Sequence, residues 1–427
     1  MKRILAYLFD KKNEVVVTSI ILMFVTQIGN AFNYFFQFAM VRLLPVKAWA
    51  EFGSLLSFLL IVAASSSVIL SVVCKYVSQF KANNEDVKIK VFVLNSAKTV
   101  IAFSLTVCIA IFISRGFIAG YLNMSDTRPI VILSFIIFFS FLYPVFFGAA
   151  QGLQKFFYIG ITSLIPSFLK FSTGILLVYL GFGLVGALGG YLMASFFMVI
   201  IPAIPMFAYF KKKGDVCEKH TKEILKYILP VALATQTFAV INYIDVFMVK
   251  HYLIKEEAGL YAALTVLGRI ILFFPGPVGI VLFPKVAEAY TLKKDTTHLL
   301  AKGLLVTFLI CFPGVVIFYF FPELMIKILC GAKYIYGANL LIYFGLAMLF
   351  YALTTIMMMY NLACHHTKFI YTFVVGAVLQ VCLIGVFHET AGQVIKIVLL
   401  NGFLLLMINL LIVFYPFKKI RGENQSE

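Results

Sequence analysis

The sequence predicts an all-α integral membrane protein with twelve transmembrane helices in two parallel six-helix repeats around a central cavity. Three observations predict it. Of the 427 residues, 62% are hydrophobic and 12% charged, whereas soluble proteins sit nearer about 45–50% and 25%. A spanning helix needs about 20 mainly apolar residues, and runs of that length recur from residue 15 to residue 416 with short polar gaps. The chain also resembles itself at an offset of 209 residues.

The apolar runs place helices near 15–41, 49–74, 91–114, 129–150, 157–180, 183–210, 224–249, 257–284, 299–321, 336–361, 367–388 and 393–416. The first follows Lys2, Arg3, Lys11 and Lys12, as a signal peptide would, but it is too long and lacks a small-residue cleavage site. The seven cysteines are scattered through apolar runs, which indicates neither a disulfide framework nor a zinc site. His365 and His366 share a short turn with no third ligand nearby, so no metal is expected. A net charge of +17 follows from topology and anionic headgroups, and no nucleic-acid partner is expected. Counting Lys and Arg by loop puts most of them, including Lys211, Lys212, Lys213, Lys219, Lys222 and Lys226, on one side. By the positive-inside rule that side is the cytoplasm, with both termini.

The repeat is polar where it counts. Thr26-Gln27 aligns with Thr235-Gln236, Asn33-Tyr34 with Asn242-Tyr243, and Phe38 with Phe247, five identities within thirteen positions. Farther on Phe52 meets Tyr261 and Leu55 meets Leu264, and Lys75 meets Lys285 after a one-residue slip. The expected lobes are 1–212 and 213–427. Six helices return the chain to its starting side, so the second copy enters the membrane in the same sense as the first. Parallel halves of this kind are a transporter design, with the substrate between them and access alternating as they rock.

An ionisable side chain near the bilayer centre costs at least about 2.5–3.5 kcal/mol, so it faces a cavity or a partner. Lys170 lies thirteen residues into the fifth helix, roughly 20 Å deep at 1.5 Å per residue. Ser163, Ser167, Lys170 and Gly174 give that helix one small, polar face. Arg269 lies similarly deep in the eighth helix, where Pro275, Gly276 and Pro277 interrupt the helix and form a candidate hinge. The bland alternatives are packing: Lys170 against a carbonyl or carboxylate, and Arg269 against Asp245. Lys98 is shallow enough to snorkel. Glu51 and Asp245 sit near the external ends of their helices and are candidates for a gate or an ion pair.

In the first helix Gln27, Asn30, Tyr34 and Gln37 recur at helical spacing, and Asn33 lies beside them. The seventh helix repeats part of this with Gln236, Asn242 and Tyr243. Such groups either read sugar hydroxyls or join helices within lipid. Because the deep charges are cationic (Lys170, Arg269 and, more weakly, Lys98), the expected cargo is anionic. Phosphate and pyrophosphate suit Arg forks and Lys point charges.

These residues resemble the polysaccharide-transporter branch of the multidrug, oligosaccharidyl-lipid and polysaccharide exporter superfamily. The resemblance is carried by Asn33-Tyr34, Glu51-Phe52-Gly53, Gln151-Gly152, Lys155-Phe156, Asp245, Gly259-Leu260-Tyr261, Arg269 and Pro284. It implies a flippase in the bacterial cytoplasmic membrane that turns undecaprenyl-pyrophosphate-linked oligosaccharides from the cytoplasmic to the periplasmic leaflet. It implies no enzymatic step and no cofactor, leaves any coupling ion open, and makes polysaccharide polymerase machinery a candidate partner. Flippases of the peptidoglycan precursor are similar but typically have two further helices and a basic first helix. A cation-coupled drug exporter is expected to hold carboxylates at mid-membrane, and none is found there. A membrane polymerase or ligase is expected to carry larger external loops.

Overall fold

The computed structural model describes the backbone of residues 14–210, 221–364 and 366–423, and these residues form helices and turns with no strand among them. In chain order the helices are α1 (Glu14–Leu43), α2 (Val46–Ala63), α3 (Ser66–Ala82), α4 (Asp86–Ile113), α5 (Arg115–Tyr121), α6 (Arg128–Gly152), α7 (Phe156–Leu177), α8 (Gly183–Ala203) and α9 (Phe207–Phe210). They continue as α10 (Thr221–Tyr252), α11 (Lys255–Phe273), α12 (Gly276–Thr291), α13 (Thr297–Phe320), α14 (Pro322–Leu329), α15 (Ala338–Ala363), α16 (Phe369–Val386) and α17 (Ala391–Glu423).

Ten stretches among the described residues are long and apolar enough to cross a membrane, against twelve spans expected. One of the ten, residues 156–210, is 55 residues long and folds back on itself as α7 and α8. The reversal lies at Val178–Phe182 and Gly183, where Gly181 and Gly183 take φ of 91° and 50°, a region open to glycine and costly for other residues. Helix α1 is not among the ten; its amides lower the hydropathy of its described part. Most of the basic run from Lys211 to Lys226 lies outside the described residues, and so does His365.

Contacts divide the chain into two compact units, residues 1–44 with 62–232, and 45–61 with 233–427. This partition differs from a cut at 212/213 because α2 groups with the second unit. Gln236 Nε2 donates to Ile61 O at 2.8 Å, and Phe58 stacks on Phe247 at 5.7 Å. Within each unit the same pairings recur: α3–α6, α4–α6, α6–α8 and α7–α8 in the first, and α12–α15, α13–α15, α15–α17 and α16–α17 in the second. The helix breaks repeat as well. The turn at Ala64–Ser65 between α2 and α3 corresponds to Phe274–Pro275 between α11 and α12; of the expected hinge residues, Pro275 lies in this break, and Gly276 and Pro277 open α12.

Each unit is built on one central helix. In α6, Ile130, Leu133, Ile136, Ile137 and Val145 are fully buried, as expected of a helix apolar on all sides. Its C-terminal face carries Gly148 and Gly152, where a Cβ would lie 2.8 Å from the carbonyls of Leu70 and Cys74. Backbone contact of this closeness at a four-residue spacing is how helices associate in lipid, where no hydrophobic force draws them together. Helix α15 is the counterpart, burying Leu341, Phe344, Tyr351 and Met357. Large apolar residues such as Phe103, Phe117, Leu309 and Tyr371 remain exposed, which suits a surface that faces lipid.

Candidate functional site

In the first unit the deep lysine is surrounded by side chains from three helices. Lys170 on α7 is 8% exposed, and its ammonium lies 4.4 Å from the ring centroid of Tyr191 on α8 and 5.4 Å from that of Phe36 on α1. The two rings meet edge to face at 5.4 Å. Among the described residues Lys170 makes no ion pair or hydrogen bond. Helix α1 is fastened over this arrangement by two amides of its polar stripe: Asn33 Nδ2 donates to Ser167 Oγ at 3.2 Å, and Gln37 Nε2 to the Tyr191 hydroxyl at 3.3 Å. The other two amides bond to each other on an exposed face, Asn30 Nδ2 to Gln27 Oε1 at 3.1 Å. Asn33 and Gln37 thus join helices, while Gln27 and Asn30 stay accessible.

In the second unit the arginine has a carboxylate. Arg269 on α11 donates to the Asn242 carbonyl on α10 at 2.8 Å, lies 3.9 Å from Asp245 Oδ1, and covers the Tyr243 ring at 4.5 Å. Tyr261 donates to Asp245 Oδ2 at 2.6 Å. Asp245 is thus the ion-pair member expected from the sequence, at 2% exposure. Its Oδ1 and the Asn242 Oδ1 are buried without a hydrogen-bond donor. Glu51 belongs to a different pair, 3.9 Å from Lys47 on the same helix.

Deeper in the second unit lies a neutral network. Gln380 Nε2 donates to Ile241 O at 3.0 Å, while its Oε1 accepts from Asn401 Nδ2 at 2.7 Å and from the Tyr351 hydroxyl at 3.3 Å. All three side chains are at most 1% exposed. Replacing Gln380 with Leu removes the acceptor of the Tyr351 hydroxyl and leaves Asn401 Nδ2 with its 3.3 Å contact to that hydroxyl. A stranded group costs about 1–3 kcal/mol, so the purified variant should melt well below wild type.

The remaining expected residues fall elsewhere. Lys98 projects from the exposed side of α4 and takes no part in the Lys170 cluster. Gln236 is a packing residue through Ile61, and Asn242 Nδ2 bonds within its own helix to Phe238 O at 2.8 Å. Sequence reasoning missed Tyr191, Phe36 and Tyr351, since aromatic residues are frequent in this chain and none of the three belongs to a periodic polar stripe. Tyr191 stands out only as a hydroxyl beside Gly189-Gly190. Among the described residues no group of three His, Cys, Asp or Glu side chains is placed to hold a metal ion.

Comparison with known structures gives the fold. The chain superposes on "Lipid II flippase MurJ, inward closed conformation" with a TM-score of 0.70 at 18% identity, covering 93% of this chain and 87% of the other. An inward-facing multidrug-resistance MATE family transporter matches with 0.68 at 14% identity, over 94% and 99%. A MOP superfamily transporter from Pyrococcus furiosus matches with 0.59 at 15% identity, over 98% and 97%. Comparison with curated protein sequences gives no match. The fold is the one shared by these membrane transporters. Within it, a family model described as "Polysaccharide biosynthesis protein" matches residues 39–338, and the chain belongs to that family.

Proposed function

We propose that this protein is a flippase that carries undecaprenyl-pyrophosphate-linked oligosaccharide repeat units from the cytoplasmic to the periplasmic leaflet of a bacterial inner membrane by alternating access. The observation that carries the reading is Lys170: a buried ammonium in a membrane helix with no carboxylate among the described residues. A charge kept in that state is costly, and a pyrophosphate would offset the cost while it is bound. The exposed amides of Gln27 and Asn30 suit the attached sugar. Arg269 supplies a second cation, held by Asp245 and the Asn242 carbonyl. Membership of a polysaccharide biosynthesis family and a fold shared with a lipid II flippase support a lipid-linked cargo.

That same fold similarity favours a second reading, in which the cargo is the peptidoglycan precursor. Both cargoes present a pyrophosphate to Lys170, and the sugar alone separates them. A drug exporter driven by a freely titrating carboxylate is less well supported, because Asp245 is engaged by Tyr261 and Arg269.

The test is in cells. Lys170→Ala, inserted in the membrane at wild-type level, should abolish surface polysaccharide and let lipid-linked repeat units accumulate on the cytoplasmic side. Normal surface polysaccharide in that variant would falsify the reading. Loss of viability with unchanged surface polysaccharide would favour the peptidoglycan precursor.

A further inference from the structure

The internal repeat gives the Lys170 contact a control within the same chain. At the offset of 210 residues that joins Lys75 to Lys285, Lys170 corresponds to Gln380 and Tyr191 to Asn401. Both pairs sit at the same helix contact of their unit, α7 with α8 and α16 with α17. In the second unit the contact is a neutral amide pair at 2.7 Å, with Gln380 and Asn401 at 0% and 1% exposure. This helix junction therefore closes without a charge. The first unit places an ammonium there and provides two aromatic faces where the second unit provides hydrogen bonds.

The cage is shaped by the backbone. A Cβ at position 174 would lie 2.5 Å from Phe36 Cε2, and one at 190 would lie 2.8 Å from the Lys170 carbonyl. Glycine at 174 thus admits the Phe36 ring, and glycine at 190 brings α8, with Tyr191, against α7. Gln37 then holds the Tyr191 hydroxyl, and Phe36 packs edge to face on the ring. A carboxylate partner would neutralise the ammonium and compete with any anion for it. An aromatic face offsets part of the cost of burial, about 0.5–2 kcal/mol, without bringing a competing negative charge.

Resting on the flippase reading above, we propose that Tyr191 is a positioning residue: its ring, with that of Phe36, holds the Lys170 ammonium in place of a counter-ion, so that the charge stays available to a phosphate-bearing headgroup. Tyr191 acts through Lys170, and its hydroxyl serves to fix the ring.

The test uses full-length protein in phosphatidylcholine nanodiscs, titrated with a polyprenyl pyrophosphate, with a melting curve for each variant. Tyr191→Leu should weaken binding about 2- to 30-fold, the span of a desolvated cation–π contact. Tyr191→Phe keeps the ring and should stay within about threefold of wild type. The double variant Lys170→Gln with Tyr191→Asn copies the amide pair of the second unit; it should melt near wild type yet bind as weakly as Lys170→Ala. Should Tyr191→Leu fail to fold, Phe36→Leu opens the other wall of the cage and should weaken binding over the same range.

Wild-type binding by Tyr191→Leu, or an equal loss in Tyr191→Phe and Tyr191→Leu, overturns the cage; so does a double variant that melts far below wild type, which would make the pair a fold contact. Loss in Lys170→Ala alone, with Tyr191→Leu unchanged, overturns the cage and leaves the flippase reading standing. Wild-type binding by Lys170→Ala overturns both.

Discussion

Arg269→Ala should destabilise the second unit by roughly 3–5 kcal/mol, the usual cost of removing one partner of a buried ion pair. The lower end is expected, because the guanidinium side chain is 17% exposed while that of Asp245 is 3% exposed. The loss falls on Asp245, whose Oδ1 has the arginine 3.9 Å away and no hydrogen bond. Without Arg269 the carboxylate loses its charged partner and keeps its hydroxyl bond from Tyr261. The Asn242 carbonyl loses a charged donor as well. Melting in detergent should show the drop, and export should fail. Adding Asp245→Asn removes the stranded charge, so the double variant should regain most of the melting temperature without regaining export. Arg269→Lys asks whether charge alone suffices. One guanidinium nitrogen, Nη2, makes both contacts, but an ammonium on a flexible stem lacks the planar face that lies on the Tyr243 ring, and an intermediate melting temperature is expected. If Arg269→Ala melts with wild type, the ion pair contributes nothing to this unit.

Gly190→Val should be nearly as damaging in the first unit, for a steric reason. A Cβ at 190 would lie 2.7 Å from Gly174 Cα, 2.8 Å from Lys170 O and 2.9 Å from Gly174 N. All three are main-chain atoms and cannot rotate aside, so α8 must move away from α7. Overpacking of this kind costs about 1–3 kcal/mol where side chains can adjust, and more is expected where only backbone can yield. The displaced helix carries Tyr191 away from Lys170, so binding should fall together with stability. Gly189→Ala is the control, since its Cβ would meet only the flexible end of Leu177 at 3.0 Å; it should fold and bind nearly as wild type. A Gly190→Val protein with a wild-type melting curve would show that the α7–α8 contact is looser than the structure has it.

The sequence made some of these residues visible and hid others, according to how each earns its place. Lys170 and Arg269 are conspicuous because a charge inside an apolar run is costly wherever the run is placed. The amides of α1 are visible because hydrogen-bonding side chains recur at helical spacing. Tyr191 is not visible: one tyrosine among 22 announces nothing until α8 is seen to lie against α7. Asp245 is expected in an ion pair or gate, yet the residue that bonds it, Tyr261, is visible in the sequence only as a repeat position and as part of a family motif. Gln380 and Asn401 belong to no periodic polar stripe, and the structure shows them to be a closed network with Tyr351.

The membrane class, the approximate limits of the helices, the duplication and the place of the two cations within apolar runs are properties of the sequence itself. They follow from transfer energy and period, which are summed residue by residue along one segment and need no neighbour. The grouping of α2 with the second unit, the aromatic cage at Lys170 and the pairing of Arg269 with Asp245 belong to the tertiary structure. In lipid no hydrophobic force selects which helix faces meet. Rotation and depth are set instead by close backbone contacts at glycine and by a few hydrogen bonds between helices distant in sequence, and neither leaves a periodic mark in the chain.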